Sequence, residues 1–367
     1  MTDPRMDKLA ETLVNYSNKV KKGDWCIILG NVIAEPLVDE VVKHVLRAGG
    51  IPSVMFNSDR VGETMYREAN EEQLKHITPY ERHIFEDADV LVSLYSNQNT
   101  RSLSQIDPTK QQVRGAARKD LMKTYRDRSA SKDLRWVIGL YPCDSLAQEA
   151  DMSLKDYEDF VYHATFSDKP DPVKEWQKIY DDHERLIKWL NGKKTIELRS
   201  PNIDITMNVE GRTFINSAGE NNMPSGEIFT SPVEDSTNGW ASYTYPAVQG
   251  GREVEGIRLE FKDGKVVNAT AEKNEEFLLK MLDMDEGARI LGELGIGTNF
   301  GIDRFTKNIL FDEKIGGSIH MAVGAGFPEA GGSNESSLHW DMICDMRTDS
   351  EIRVDGDLFY KDGKFQV

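Results

Sequence analysis

The stretch from Gly292 to Arg347 places ionisable side chains inside segments that otherwise have the composition of buried strands. His320 lies in the run GGSIHMAVG and His339 lies in SSLHWDMIC. Glu293 and Asp341 are close to them along the chain. Burying imidazoles and carboxylates together is costly unless they pair with one another or bind a cation. A metal ion is the simplest agent that would hold these groups there, so the stretch predicts a metal site.

The triplet His339-Trp340-Asp341 is the most specific local pattern in this stretch. Alternate residues of a strand project to the same face, so His339 and Asp341 should lie side by side, with Asp345 further along. An imidazole and a carboxylate at this spacing suit Zn, Mn, Co or Fe(II). The alternative is a core histidine that hydrogen-bonds to a carboxylate. A second histidine, His320, on a glycine-flanked strand favours the metal.

Length and composition indicate a soluble protein of two domains. A chain of 367 residues is long for one hydrophobic core. Its sequence contains no run near the roughly 18 to 20 apolar residues that span a bilayer, and its N-terminus lacks the apolar centre of a signal peptide. The three cysteines form no CxxC pair and favour a reducing cytoplasm. The net charge of -17 argues against nucleic-acid binding, which needs a basic surface.

Residues 1–192 have the pattern of an α/β domain. Helical segments separate the apolar runs WCIILG, IPSVMF, DADVLVSLYS and RWVIGLYP. This alternation predicts a mostly parallel sheet with right-handed crossovers. The loop after the first run, GNVIAEP, lacks the glycine-rich phosphate-binding motif, so we expect no dinucleotide cofactor.

Residues 193–367 follow a helix-ending signal at Asn191-Gly192, which we take as the domain boundary. Beyond it the apolar pattern has a period of two, with short strands separated by turn residues. This pattern predicts a largely antiparallel α+β domain that carries all the candidate metal ligands. Glu227 follows a tight turn in MPSGEIFTSP and, taken alone, is either an exposed loop residue or a positioned ligand.

Four motifs in this order, GEIFTSP, GELGIGTN, ILFDEKIGGSIHMAVG and GGSNESSLHWDMICDMR, make the chain resemble the aminopeptidase T family of thermophilic-type metallo-aminopeptidases. The resemblance covers the second domain and extends to the layout of the first. It implies a homodimer that removes the N-terminal residue of peptides with a water activated between two divalent metals, Zn, Co or Mn. The family's metal ligands match, position by position, Glu227, Glu293, His320, His339 and Asp341. Glu293 matches the catalytic ligand that both metals share.

One departure from the family pattern lies in the glycine-rich loop GAGFPEAGG. The family has a tyrosine assigned to the site where this chain has Phe327. Phenylalanine cannot donate a hydrogen bond, and losing one donor to a developing oxyanion typically costs about 100- to 1,000-fold in rate. The change implies a weak peptidase, a replacement donor such as Lys314 or Tyr243, or a different reaction.

Two other functions stay open on the sequence. His320, His339 and Asp341 alone form the two-histidine, one-carboxylate set of non-haem Fe(II) oxygenases, and a dihydroxypyridine ring-cleaving dioxygenase resembles the same family. A catalytically silent binding protein on this scaffold is the other alternative. Glu227 and Glu293 favour the dinuclear hydrolase, because two further carboxylates suit a second cation.

Overall fold

The computed structural model describes residues 3–249 and 251–367, which form two compact units. The first unit runs up to Val173 and includes Gly219–Pro224, and the second comprises Lys174–Ala218 and Ser225–Val367. This division precedes the predicted boundary at Gly192. The reason is that Leu186 and Leu190, on the helix before that glycine, pack into the core of the second unit.

The first unit is built around a parallel sheet, as the alternation of strands and helices predicted. The strands are β1 (Trp25–Asn31), β2 (Ile51–Asn57), β3 (Val90–Tyr95) and β4 (Arg135–Leu140). Their order in the sheet is β2-β1-β3-β4, and each neighbouring pair is parallel. Strand β1 buries Cys26, Ile27 and Ile28 in succession, as a strand covered on both faces does.

Helices connect and flank these strands. A proline often occupies the first helical position, where its missing N–H is not needed, and three of the helices begin in this way. The helices are α1 (Pro4–Glu11), α2 (Glu35–Arg47), α3 (Asp59–Glu68), α4 (Glu71–Lys75), α5 (Pro79–Glu86), α6 (Pro108–Ala117), α7 (Lys119–Ala130), α8 (Asp144–Glu149) and α9 (Leu154–Ala164). Within residues 3–249 and 251–367, none of the helices is both long and apolar enough to cross a membrane.

The second unit is dominated by two antiparallel sheets. The strands are β5 (Thr195–Ser200), β6 (Ile203–Asn208), β7 (Ile215–Ser217), β8 (Glu227–Thr230), β9 (Asn238–Ser242), β10 (Ala247–Gln249), β11 (Arg252–Val254), β12 (Arg258–Lys262), β13 (Lys265–Thr270), β14 (Leu291–Gly297), β15 (Ser318–Gly324), β16 (His339–Asp345), β17 (Glu351–Val354), β18 (Asp357–Lys361) and β19 (Lys364–Phe365). The larger sheet has the order β13-β12-β9-β6-β5-β17-β18-β19, and the smaller has the order β16-β15-β14-β8-β7. The helices are α10 (Pro172–Leu190), α11 (Glu275–Leu282) and α12 (Ile309–Asp312).

The five-stranded sheet of this unit has one apolar and one polar face. Every second residue of β15 and β16, and of β14 from Leu294 onward, packs into the hydrophobic core, among them Met321 and Met342. Because side chains alternate along a strand, the residues between them project to the opposite face. The candidate metal ligands lie on that opposite face.

Candidate metal centre

All five candidate ligands come from one face of the five-stranded sheet. Residues that pair directly across antiparallel strands share a face. Glu293 of β14 pairs with Ala322 of β15, which in turn pairs with Asp341 of β16. His320, His339 and Glu227 pair with glycines of the neighbouring strands, so small residues separate the ligands. The register pairs are Gly295 with His320, Gly324 with His339 and Gly297 with Glu227.

A β-bulge at Gly292 aims Glu293 at this face. The pairing register shifts between Leu291 and Glu293, so the side chain of Leu291 enters the core while that of Glu293 faces the other way. A Cβ at Gly292 would lie 2.4 Å from the carbonyl oxygen of Ala325, so a larger residue would not fit there. Gly292 therefore permits the bulge that turns the Glu293 carboxylate to the ligand face of the sheet.

Gly295 makes the space that the His320 ring occupies. A Cβ at this position would lie 2.0 Å from both Cε1 and Nε2 of His320. That distance is far below van der Waals contact, so only glycine allows the ring to lie across the neighbouring strand. The glycine density of GELGIG thus has a specific structural role at this position.

Glu293 lies between the two histidines. Its Oε1 atom is 3.4 Å from Nε2 of His320, and its Oε2 atom is 3.1 Å from Nε2 of His339. Glu227 Oε2 lies 3.4 Å from the same His320 nitrogen, and Asp341 Oδ2 lies 3.6 Å from Nε2 of His339. Single ligand atoms of Glu293, His339 and Asp341 all lie within 4.8 Å of one another. The structure therefore brings all five predicted residues together.

Backbone carbonyls orient both imidazoles. His320 Nδ1 lies 2.9 Å from the carbonyl oxygen of Glu313, and His339 Nδ1 lies 3.0 Å from that of Ala325. A carbonyl oxygen only accepts hydrogen bonds, so each Nδ1 donates and each Nε2 is left facing the carboxylates. Metal-binding histidines are commonly held in this way by an acceptor on the other ring nitrogen.

Burial makes the site depend on a positive charge. Glu227, Glu293 and His320 are each at most 5% exposed, whereas 32% of the His339 side chain is exposed. Glu227 Oε2 and Asp341 Oδ1 have no hydrogen-bond partner among the described residues. Buried oxygens of this kind need a partner, and a cation between the carboxylates and the imidazoles would supply it. The donor set thus fits a divalent metal.

Burial and ion pairing together shift the pKa values of the candidate ligands. Burial raises the pKa of Glu227 to about 7 and that of Asp341 to about 6. Burial would also raise the pKa of Glu293, but its hydrogen bonds with His320 and His339 lower it to about 2. Burial would lower the pKa of His320 and His339, but the neighbouring carboxylates raise it to about 10, so metal binding must compete with protons on both imidazoles.

Phe327, the position of the family's tyrosine, lies beside His339 in the structure. Its ring centroid is 5.1 Å from that of His339 and 5.0 Å from that of Phe229. Its backbone N–H donates to Ser231 Oγ at 2.9 Å, which fixes the loop beside the ligands. A tyrosine at this position would therefore place its ring in contact with that of His339.

The two suggested replacement donors have different positions. Lys314 is fully buried, and its Nζ lies 3.6 Å from Oε1 of Glu227. Tyr243 belongs to the hydrophobic core together with Cys344, whose side chain lies on the apolar face of the sheet. Tyr243 is therefore wrong as a replacement donor, because the sheet separates it from the ligands. Asp345 pairs with Ser318 of β15 in the strand register and so lies on the ligand face, as expected, but its carboxylate forms an ion pair with Arg347.

The sequence offered Lys314 only as one of two possible donors, because its context, FDEK, is typical of an exposed charged turn. Only the fold shows that this lysine is buried against Glu227. Lys314 ends a run of three charged residues and stands two positions before Gly316-Gly317, a context that gives no periodic signal of burial.

Comparison with known proteins places the chain among metalloproteases. The family profile described as thermophilic metalloprotease (M29) matches residues 2–365. Aminopeptidase 2 of Geobacillus stearothermophilus is 26% identical over 403 aligned residues, covering 99% of this chain and 95% of its own. Aminopeptidase T of Thermus thermophilus is 25% identical, covering 98% of this chain and 95% of its own.

Two solved structures share the fold. AmpT from Thermus thermophilus superposes with a TM-score of 0.87 at 22% sequence identity, covering 99% of each chain. The 2,5-dihydroxypyridine dioxygenase of Pseudomonas putida KT2440 superposes with a TM-score of 0.58 at 13% identity, covering 98% of this chain and 96% of its own. The predicted two-part fold, with a parallel sheet and a larger antiparallel sheet, agrees with these likenesses.

Proposed function

The chain belongs to the thermophilic metalloprotease family M29, and on this basis we propose that it uses two divalent ions to remove the N-terminal residue of peptides. The predicted enzyme class, a metallo-aminopeptidase, is confirmed by the family and by the aminopeptidases that the chain resembles over nearly its whole length. The proposed ligands are Glu227, Glu293, His320, His339 and Asp341.

The arrangement of Glu293 is the observation that carries this proposal. Its two oxygens face the Nε2 atoms of different histidines. A carboxylate in that position can serve two cations at once. Glu227 and His320 lie on one side of it, while His339 and Asp341 lie on the other.

The chain's own groups suit this chemistry. When bound, a pair of divalent ions would polarise the scissile carbonyl and lower the pKa of a water, so that the water can lose a proton and attack the carbonyl carbon. Three carboxylates offset three of the four positive charges. One of these carboxylates must also carry the proton from the water to the leaving amine. His339 is the partly exposed ligand, so a peptide N-terminus would approach from its side.

The ring-cleaving dioxygenase shares only the fold with this chain, at 13% identity. Neither Glu227 nor Glu293 is needed for a two-histidine, one-carboxylate iron site. Their burial against the histidines favours two cations over one. We therefore prefer the hydrolase.

The proposal also covers the native metal, the cellular compartment and the oligomeric state. Imidazole and carboxylate ligands together suit Zn, Co or Mn, and we propose one of these as the native metal. We also propose a cytoplasmic homodimer without nucleic-acid or membrane partners. The cysteines at positions 26, 143 and 344 are buried and free, as a reducing compartment requires.

Metal removal tests the proposed activity. Hydrolysis of aminoacyl arylamides should stop in chelator-treated protein and return when Zn, Co or Mn is added, because the cation is required to activate the water. The same arylamide with an acetylated amino group is the control and should stay intact. Undiminished hydrolysis by protein that elemental analysis shows to be metal-free would rule the mechanism out.

A further inference from the structure

Lys314 is the buried cation of the second unit that the proposed mechanism does not use. Its side chain is fully buried, although lysine is rarely buried without a paired charge. Its Nζ lies 3.6 Å from Glu227 Oε1 and contacts the carboxylate of Glu313. An ammonium group is therefore built into one side of the candidate metal centre.

The position of Lys314 relative to the ligands is asymmetric. It contacts Glu227, whose second oxygen Oε2 faces Nε2 of His320. The carbonyl oxygen of Glu313, the residue before Lys314, accepts the hydrogen bond from His320 Nδ1. On the opposite side, the polar contacts of His339 among the described residues are with Glu293, Asp341 and Ala325. The lysine thus acts on the Glu227–His320 side.

We propose that Lys314 is a positioning residue that makes the two metal positions unequal. The position served by Glu227 and His320 binds its ion more weakly than the position served by Glu293, His339 and Asp341. This inference rests on the proposed two-metal function. It assigns the difference between the two positions to one lysine.

Two effects of Lys314 act in the same direction. Its positive charge repels an incoming cation, and charges only about 4 Å apart at a partly buried site change a binding constant by well over tenfold. Its ammonium also occupies Oε1 of Glu227, which leaves Oε2 as the available ligand atom. Replacing Lys314 by a neutral residue of similar length removes both effects.

A Co(II) titration of the chelator-stripped full chain, followed by visible absorption and equilibrium dialysis, measures this directly. The wild type should bind two ions in two separate steps. Lys314→Met should tighten the second step by at least about tenfold and change the first by less than about threefold. A lysine with a purely structural role would loosen both steps when replaced.

Glu313→Gln is the matched variant. It leaves Lys314 in place with one carboxylate fewer, so the second step should weaken by at least about threefold. Circular dichroism and thermal unfolding of each metal-free variant check the fold. If Lys314→Met does not fold, Glu313→Gln carries the test.

The possible results separate the two claims. If the wild type binds two ions but Lys314→Met leaves the second step unchanged or weaker, the role of Lys314 is overturned and the two-metal function stands. An unchanged or tighter second step in Glu313→Gln also overturns that role. A wild type that binds a single ion overturns the two-metal function itself.

Discussion

Glu293→Gln should reduce the rate of peptide hydrolysis by more than about 100-fold. Residues that only hydrogen-bond to metal ligands typically cost up to about 100-fold in activity when they are mutated, and loss of a ligand itself should cost more. The amide is neutral, and its nitrogen cannot bind a cation. Since each oxygen of Glu293 faces a different histidine, the substitution weakens both proposed positions at once. The rate is measured as kcat/KM on an aminoacyl arylamide, together with the metal content of the variant.

The fold should survive this change, because glutamine has nearly the shape of glutamate. Asp345→Asn is the matched control. Asp345 lies on the same sheet but pairs with Arg347, so its loss should leave the rate close to that of the wild type. Full activity of Glu293→Gln would remove Glu293 from the site.

Phe327→Tyr should raise peptidase turnover, by up to about 100-fold if a single hydrogen-bond donor is what the site lacks. The ring already lies 5.1 Å from that of His339, and the Ser231 hydroxyl fixes its backbone. A hydroxyl at the ring edge would donate to the developing oxyanion, which is a transition-state interaction. The gain should therefore appear in kcat more than in KM.

Phe229→Tyr is the control for this gain. Its ring lies 5.0 Å from that of Phe327, so it adds a hydroxyl nearby but not at the family's tyrosine position. Only Phe327→Tyr should increase turnover. An unchanged kcat in that variant would show that a missing hydroxyl does not limit the reaction.

Local patterns predicted the strands of the site well. The alternation in SSLHWDMIC predicted that His339 and Asp341 share a face, and β16 places them there. The apolar run around His320 likewise predicted β15. The parallel sheet of the first unit followed from apolar runs separated by helical segments. In each case the spacing of apolar residues along the sequence determines which side chains share a face, so local sequence is sufficient for the prediction.

Long-range features could not be predicted from local patterns. Glu227 reaches the site because β8 pairs with β14, and the resemblance alone connected this residue with the histidines. The bulge at Gly292 reverses the face of the following residues, which a simple period of two does not reveal. Lys314 and Tyr243 were equal candidates on the sequence, yet the sheet places them on opposite faces.

Anomalous diffraction from crystals grown with Co or Zn tests the central claim most directly. We predict two peaks per chain, both on the polar face of the five-stranded sheet and both in contact with Glu293. One peak should also contact Glu227 and His320, and the other should contact His339 and Asp341. A single peak, or two peaks of which either lies away from Glu293, would contradict the account.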